Sequence, residues 1–126
     1  MIDTSCLAKE ILVAEDVEEI RETIAALLRF RGFQVTTAEN GAVAWRMFKQ
    51  HPVSMVLVDL LMPAVDGRQL ARRIKDISPE TFILLITGGD PGVAYRMHRE
   101  GLVNAVLIKP CGIQEIIEIF DNVVSG

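Results

Sequence analysis

The hydrophobic pattern of this chain alternates between two rhythms. Short, unbroken apolar runs occupy residues 11–14, 56–58, 82–86 and 105–108, and a more mixed run, Gln34-Val35-Thr36-Thr37-Ala38, lies between the first two. Runs this short and rich in β-branched residues predict strands buried on both faces, as in a parallel sheet. Between them, apolar residues recur at helical spacing. Val17, Ile20, Ile24, Leu27 and Leu28 are interleaved with Glu18, Glu19, Arg21 and Glu22. That pattern predicts an amphipathic helix whose acidic first turn suits the helix dipole and which Gly32 stops. A second helix opens at Asn40-Gly41 and runs to about residue 50, with Val43, Met47 and Phe48 inward. A third covers 67–77, with Leu70, Ala71 and Ile74 inward, and a fourth covers 91–100. In the last, Ile113, Ile116, Ile117, Phe120 and Val124 form the core stripe, while Ile119 and Val123 lie off it, either buried more deeply or exposed in support of a dimer. Strand and helix alternate five times, the pattern of a doubly wound α/β fold: a five-stranded parallel sheet with helices on both faces and right-handed crossovers.

The strands end on chemistry. The first runs into Glu15-Asp16, the third into Asp59, the fourth into Thr87-Gly88-Gly89 and the fifth into Lys109-Pro110. Parallel strands share one carboxyl edge, and ligands of open α/β sheets bind in the crevice there. Taken singly, each residue reads as turn chemistry or as half of an acid–amine pair. Taken together on one edge, they form a site. Three carboxylates about 5 Å apart repel by about 3 kcal/mol per pair at an effective dielectric of ~20, so the cluster calls for a cation. Hard oxygen ligands suit Mg²⁺, which takes one or two protein carboxylates and keeps several waters. Lys109 adds a fixed positive charge, and Thr87 with the amides beside Gly88 and Gly89 offers donors for an anion. A carboxylate, a divalent cation, a lysine and a hydroxyl together suit phosphoryl transfer onto the carboxylate.

With 126 residues the chain fits a single domain, residues 1–126 with a core of about 10–124 after a short N-terminal arm. Half the residues are hydrophobic and the net charge is −4, a globular composition. Without a run of Lys or Arg, direct nucleic-acid binding is not expected. No apolar stretch approaches the ~20 residues of a membrane span, and residues 1–10 lack the pattern of a signal peptide, so a cytoplasmic location is expected. Cys6 and Cys111 are too few for a disulfide framework. They are expected reduced at opposite ends of the sheet, since five strand residues span roughly 17 Å.

The motif Asp59-x-x-Met62-Pro63-x-x-Asp66-Gly67, with Glu15-Asp16, Thr87-Gly88 and Lys109-Pro110 in order, resembles the receiver domain of bacterial two-component response regulators, the family of the chemotaxis regulator. The resemblance covers about residues 10–124. It implies the flavodoxin-like strand order 2-1-3-4-5. It implies that Asp59 accepts a phosphoryl group from a phosphohistidine on a sensor kinase or phosphotransfer protein. Asp16 and Asp59 then coordinate Mg²⁺ with the backbone carbonyl of Leu61, and Glu15 acts through a bound water. Thr87 and Lys109 bind the phosphoryl oxygens, and the surface of helix four, strand five and helix five switches. A cis Lys109–Pro110 bond is implied as well. A downstream protein or an attached effector domain would read the switch, and a homodimer through helices four and five would fit it. Such a domain catalyses only its own phosphorylation and dephosphorylation and is not an enzyme in the turnover sense.

The sequence departs from the family pattern twice. Val106 stands where an aromatic rotamer switch is usual, and Gly101 lies eight rather than seven residues before Lys109, which predicts an extra residue in the loop around Asn104. The phosphorylation chemistry is expected to survive, with helix four, bracketed by Gly92 and Gly101, moving in place of the aromatic relay. Leu61 and Gly89 flank the site and offer no group to position a water, so rapid self-hydrolysis is not expected. Two other readings are a phosphorylation-independent protein-binding module on the same fold, hinted at by Val106, and a Mg²⁺-dependent phosphatase. The phosphatase reading lacks a second aspartate two residues after Asp59. Gly88-Gly89-Asp90 is followed by Pro91-Gly92, unlike a nucleotide-cyclase signature, and His51 and His98 lack metal-ligand spacing. Trp45 and Tyr95 are read as packing residues, and Arg96, Arg99 and Glu100 as a solvated face that could serve a partner.

Overall fold

Strands form where the residues tolerate burial on both faces, and the sheet order follows from which strands are buried most. The computed structural model describes residues 9–62 and 65–126. Five strands, β1 (Glu10–Ala14), β2 (Gln34–Ala38), β3 (Met55–Asp59), β4 (Phe82–Thr87) and β5 (Ala105–Ile108), alternate with five helices. The helices are α1 (Glu18–Phe30), α2 (Gly41–Gln50), α3 (Gly67–Ile77), α4 (Pro91–Arg99) and α5 (Ile113–Ser125). All strands pair in parallel, in the order β2-β1-β3-β4-β5. This is the doubly wound arrangement expected from the alternation, and the order is the one the resemblance implies. β3, apolar up to its final Asp59, lies at the centre and is buried throughout, whereas β2, with two threonines, and the short β5 take the edges.

Side chains alternate across the sheet and split the core in two. Leu12, Val56, Val58, Ile83 and Leu85 point to a layer completed by α2, α3 and α4. Ile11, Val13, Met55, Leu57 and Leu84 point to the layer of α1 and α5. There Phe120 receives the edges of Phe33 and Phe82, each with ring centres 6.4 Å apart. Three helices begin on a side-chain cap, from Asn40, Asp66 and Asp90. At the end of α1, Gly32 takes φ +97°, a left-handed conformation that suits its role as the stop.

The helical stripes hold for α3, where Leu70, Ala71 and Ile74 are fully buried. In α5, Ile116, Ile117 and Phe120 are buried, while Ile113, Val124, Ile119 and Val123 are half-buried against the same layer. In α2 the buried residues are Gly41, Ala44 and Phe48, with Val43 and Met47 only partly covered. The expectation for α1 needs the larger correction. Ile24, Ala25 and Leu28 are buried, but Val17, Ile20 and Leu27 are 46%, 38% and 36% exposed. This helix packs on the edge pair β1 and β2, which covers a narrower stripe than the apolar face provides. The Lys109–Pro110 peptide is cis, as the resemblance implies. Cys111 is a free, half-buried thiol, and Cys6, expected at the opposite end of the sheet, falls outside the described residues. Among the described residues, no helix is long and apolar enough to cross a membrane.

Candidate functional site

The carboxyl ends of β1, β3, β4 and β5 lie along one edge of the sheet, and the polar residues that end them meet there. Asp59 is the last residue of β3, directly beside Ile86 of β4. Its carboxylate is almost fully buried. The Leu61 amide donates to Asp59 Oδ1 at 3.0 Å, which turns the chain sharply out of the strand. Asp66 then caps α3 by accepting from the Gln69 amide at 2.9 Å. Gly67 follows because nothing larger fits: a Cβ there would lie 2.6 Å from the Asp59 carbonyl oxygen and 2.7 Å from Leu60 Cα. The Asp-Gly step is therefore a cap joined to a close approach behind the site carboxylate. Pro63 of the same motif falls outside the described residues.

Glu15 and Asp16 follow β1 with opposite environments. Glu15 is 2% exposed and Asp16 is exposed to solvent. One carboxylate oxygen from each of Glu15, Asp16 and Asp59 lies within 4.8 Å of the others. Lys109, at the end of β5, reaches into the cluster with its Nζ 3.2 Å from Asp59 Oδ2 and 3.7 Å from Glu15 Oε1. Among the described residues, neither carboxylate oxygen of Glu15 has a hydrogen-bond partner. Burial, followed by the neighbouring Asp59 carboxylate, pushes the Glu15 carboxyl up to about 8. Burial works against the Lys109 ammonium, but Asp59 and Glu15 outweigh it and raise its pKa. A buried acid beside two other carboxylates is an arrangement that a hard cation would neutralise. The all-oxygen donor set and the unbonded Glu15 oxygens fit Mg²⁺.

Thr87 ends β4 and is fully buried. Its hydroxyl accepts from the Gly89 amide at 2.9 Å, and its carbonyl accepts from the Lys109 amide at 2.8 Å. The hydroxyl proton is thus left to donate elsewhere. Leu61 is 61% exposed, and its side chain leans over Gly89. Val106 is half-buried in β5, paired with Leu85 and packed on the α4 side of the sheet. The six residues expected at this edge, Glu15, Asp16, Asp59, Leu61, Thr87 and Lys109, all come to it.

One contributor to this edge, and one loop contact at the opposite end of the sheet, were not legible beforehand. Arg21 of α1 donates from Nη1 to the carbonyl oxygens of Glu15 at 3.0 Å and Asp16 at 3.4 Å. In the sequence it reads only as a polar spacer on an amphipathic helix. Asn104, in the loop where an extra residue was expected, pairs with both backbone groups of Ile83. Its amide donates to the Ile83 carbonyl at 2.8 Å, and its Oδ1 accepts from the Ile83 amide at 2.9 Å. The same Oδ1 accepts from Lys75 Nζ at 2.7 Å.

Residues 11–121 match the family described as the response regulator receiver domain. Over 80 residues the chain is 41% identical to the response regulator receiver protein CpdR of Brucella abortus, a match covering 64% of this chain and 67% of that one. Two longer curated relatives are spanned over only 28% and 46% of their lengths. A response regulator receiver domain protein from Clostridium thermocellum superposes with a TM-score of 0.86 at 30% identity, covering 92% of this chain and 94% of the other. The response regulator TrrA of Thermotoga maritima, solved in complex with Mg²⁺ and BeF, gives a TM-score of 0.82 at 26% identity over 91% and 98% of the two chains. With sequence, strand order and acidic edge in agreement, the chain belongs to the response regulator receiver domain family of two-component signalling.

Proposed function

We propose that this domain is a phosphorylatable switch in which Asp59 accepts a phosphoryl group from the phosphohistidine of a sensor histidine kinase or phosphotransfer protein. A carboxylate oxygen of Asp59 forms a bond to phosphorus as the phosphorus–nitrogen bond of the donor breaks, and the released imidazole takes up a proton. Lys109, already 3.2 Å from Asp59, offsets the charge on the transferring group, and the free proton of Thr87 is available to a phosphoryl oxygen. Asp16, Asp59 and the Leu61 carbonyl would hold Mg²⁺, with Glu15 acting through a water. When bound, the ion would supply neutralisation of the acidic cluster and of the phosphoryl oxygens. The neighbour TrrA was solved in complex with Mg²⁺ and BeF, which supports this reading. The observation that carries this reading is the Lys109 ammonium held between Asp59 and a buried Glu15 whose oxygens have no hydrogen-bond partner among the described residues.

The phosphoryl group would bias two conformations of the surface formed by α4, β5 and α5, each tenfold change in their ratio being worth about 1.4 kcal/mol. With Val106 in β5, the moving part is α4, which starts on the Asp90 cap and ends before Gly101 at φ +80°. The output would be a downstream protein or an attached effector domain, with a homodimer through α4 and α5 as one form of it. The domain would work in the cytoplasm as a single unit over residues 1–126, turning over only its own phosphoryl group. The second reading, a binding module that dispenses with phosphorylation, draws on the apolar Val106 alone. Intact mass after incubation with acetyl phosphate tests the two. A gain of one phosphoryl group that requires Mg²⁺ and is lost in Asp59→Asn is the expected result. A folded, Mg²⁺-supplied protein that gains no mass would overturn the switch in favour of the module.

A further inference from the structure

We infer that Arg21 is the positioning residue of the cation site, fixing the Glu15–Asp16 turn so that both carboxylates stay within reach of Asp59. The inference rests on the reading above that these acids hold Mg²⁺. The β1–α1 turn has an unusual task. In α2, α3 and α4 an Asn or Asp before the helix bends its side chain onto the first-turn amides at 2.8–2.9 Å. At α1 the cap position is Val17, which makes no side-chain cap bond. The two acids ahead of it have their carboxylates in the cluster with Asp59. The turn must therefore be held through its backbone.

Two contacts hold it. On one side the Glu15 amide donates to the Ala38 carbonyl of β2 at 3.1 Å. On the other, one guanidinium nitrogen of Arg21 reaches the carbonyls of both Glu15 and Asp16. The Arg21 side chain is 12% exposed, and its Nε lies 3.6 Å from Glu22. Charge-assisted bonds of this kind are stronger than neutral ones, and they orient the peptide units from which both acids project. Groups that orient metal ligands without touching the ion commonly matter ten- to a hundredfold for affinity. Arg29 of the same helix provides the comparison: its Nη2 donates to the Val35 carbonyl at 2.8 Å, a similar bond at the end of α1 away from the acids.

The test is calorimetric titration of Mg²⁺ into the wild type, Arg21→Ala, Arg21→Lys and Arg29→Ala, with the melting temperature of each metal-free protein measured in parallel. Arg21→Ala is expected to raise the half-saturating Mg²⁺ concentration roughly tenfold or more. Arg21→Lys, whose ammonium can serve one carbonyl, should recover part of the loss and also reports if the alanine variant does not fold. Arg29→Ala should lower the melting temperature and leave Mg²⁺ binding unchanged. Wild-type Mg²⁺ affinity in both Arg21 variants would overturn the inference, as would an equal weakening in Arg29→Ala. A wild type that takes up no Mg²⁺ would instead overturn the metal reading, and this inference with it.

Discussion

Replacing Glu15 by glutamine isolates the electrostatics of the acidic edge. The folded protein holds the Glu15 carboxyl at about 8, against an ordinary 4.5, so the folded state binds more protons than the unfolded one throughout that window. The stability this group contributes is fully present below pH 4.5 and is lost as pH rises through about 8. The loss is about 1.4 kcal/mol per pH unit, with a ceiling of about 5 kcal/mol across the whole window. Between pH 6 and 8 it amounts to about 2 kcal/mol, or about 8 °C in melting temperature at about 4 °C per kcal/mol for a domain of this size. Glutamine keeps the shape and carries no titrating proton. Scanning calorimetry in EDTA at pH 6, 7 and 8 should therefore show Glu15→Gln gaining on the wild type as pH rises. Taking the difference cancels the titrating groups remote from this edge, whereas Lys109, whose pKa Glu15 helps to raise, shifts with the substitution. Mg²⁺ should affect the two proteins differently, because binding must displace the Glu15 proton. Wild-type affinity should rise by up to tenfold per pH unit below about 8, and that of the variant should rise less. A melting-temperature difference that stays flat from pH 6 to 8 would refute the reasoning.

Asn104→Ala removes the acceptor of the buried Ile83 amide and a partner of Lys75, and should cost about 1–3 kcal/mol in denaturant unfolding, whereas Asn104→Asp keeps both interactions and should lie near wild type. Gly67→Ala drives a Cβ into the Asp59 carbonyl, so a loss of about 1–3 kcal/mol with weakened Mg²⁺ binding is expected in the same measurements. Amide exchange with and without beryllofluoride should change within residues 88–104, and an unchanged pattern there would remove α4 as the moving element. The phosphorylated protein should persist well beyond seconds by intact mass, because Leu61 and Gly89 carry no side-chain group that could position a water.

The strands were legible because burial on both faces demands unbroken apolar runs, and β1, β3 and β4 meet that demand. The convergence of Glu15, Asp16, Asp59, Thr87 and Lys109 was legible too, since parallel strands put their carboxyl ends on one edge whatever the details of packing. The cap of α3 could be read from Asp66-Gly67, because a capping side chain acts within one turn of its own position. Other features depended on residues distant in sequence. Glu15 and Asp16 are neighbours in the chain, yet the turn out of β1 buries one and exposes the other, and that burial, beside the Asp59 carboxylate and against the pull of Lys109, raises the Glu15 pKa. The exposure of Val17, Ile20 and Leu27 follows from where the edge of the sheet ends, which a helical stripe cannot encode. Arg21 and Asn104 act by donating to or accepting from backbone groups, and a backbone group leaves no trace in the residue code. The fold, the family and the residues gathered at the acidic edge were thus readable from the chain alone. The tertiary structure decided which acid is buried, what holds the turn that carries it and how the altered loop before β5 closes, because each depends on contacts between segments that the chain pattern specifies only one at a time.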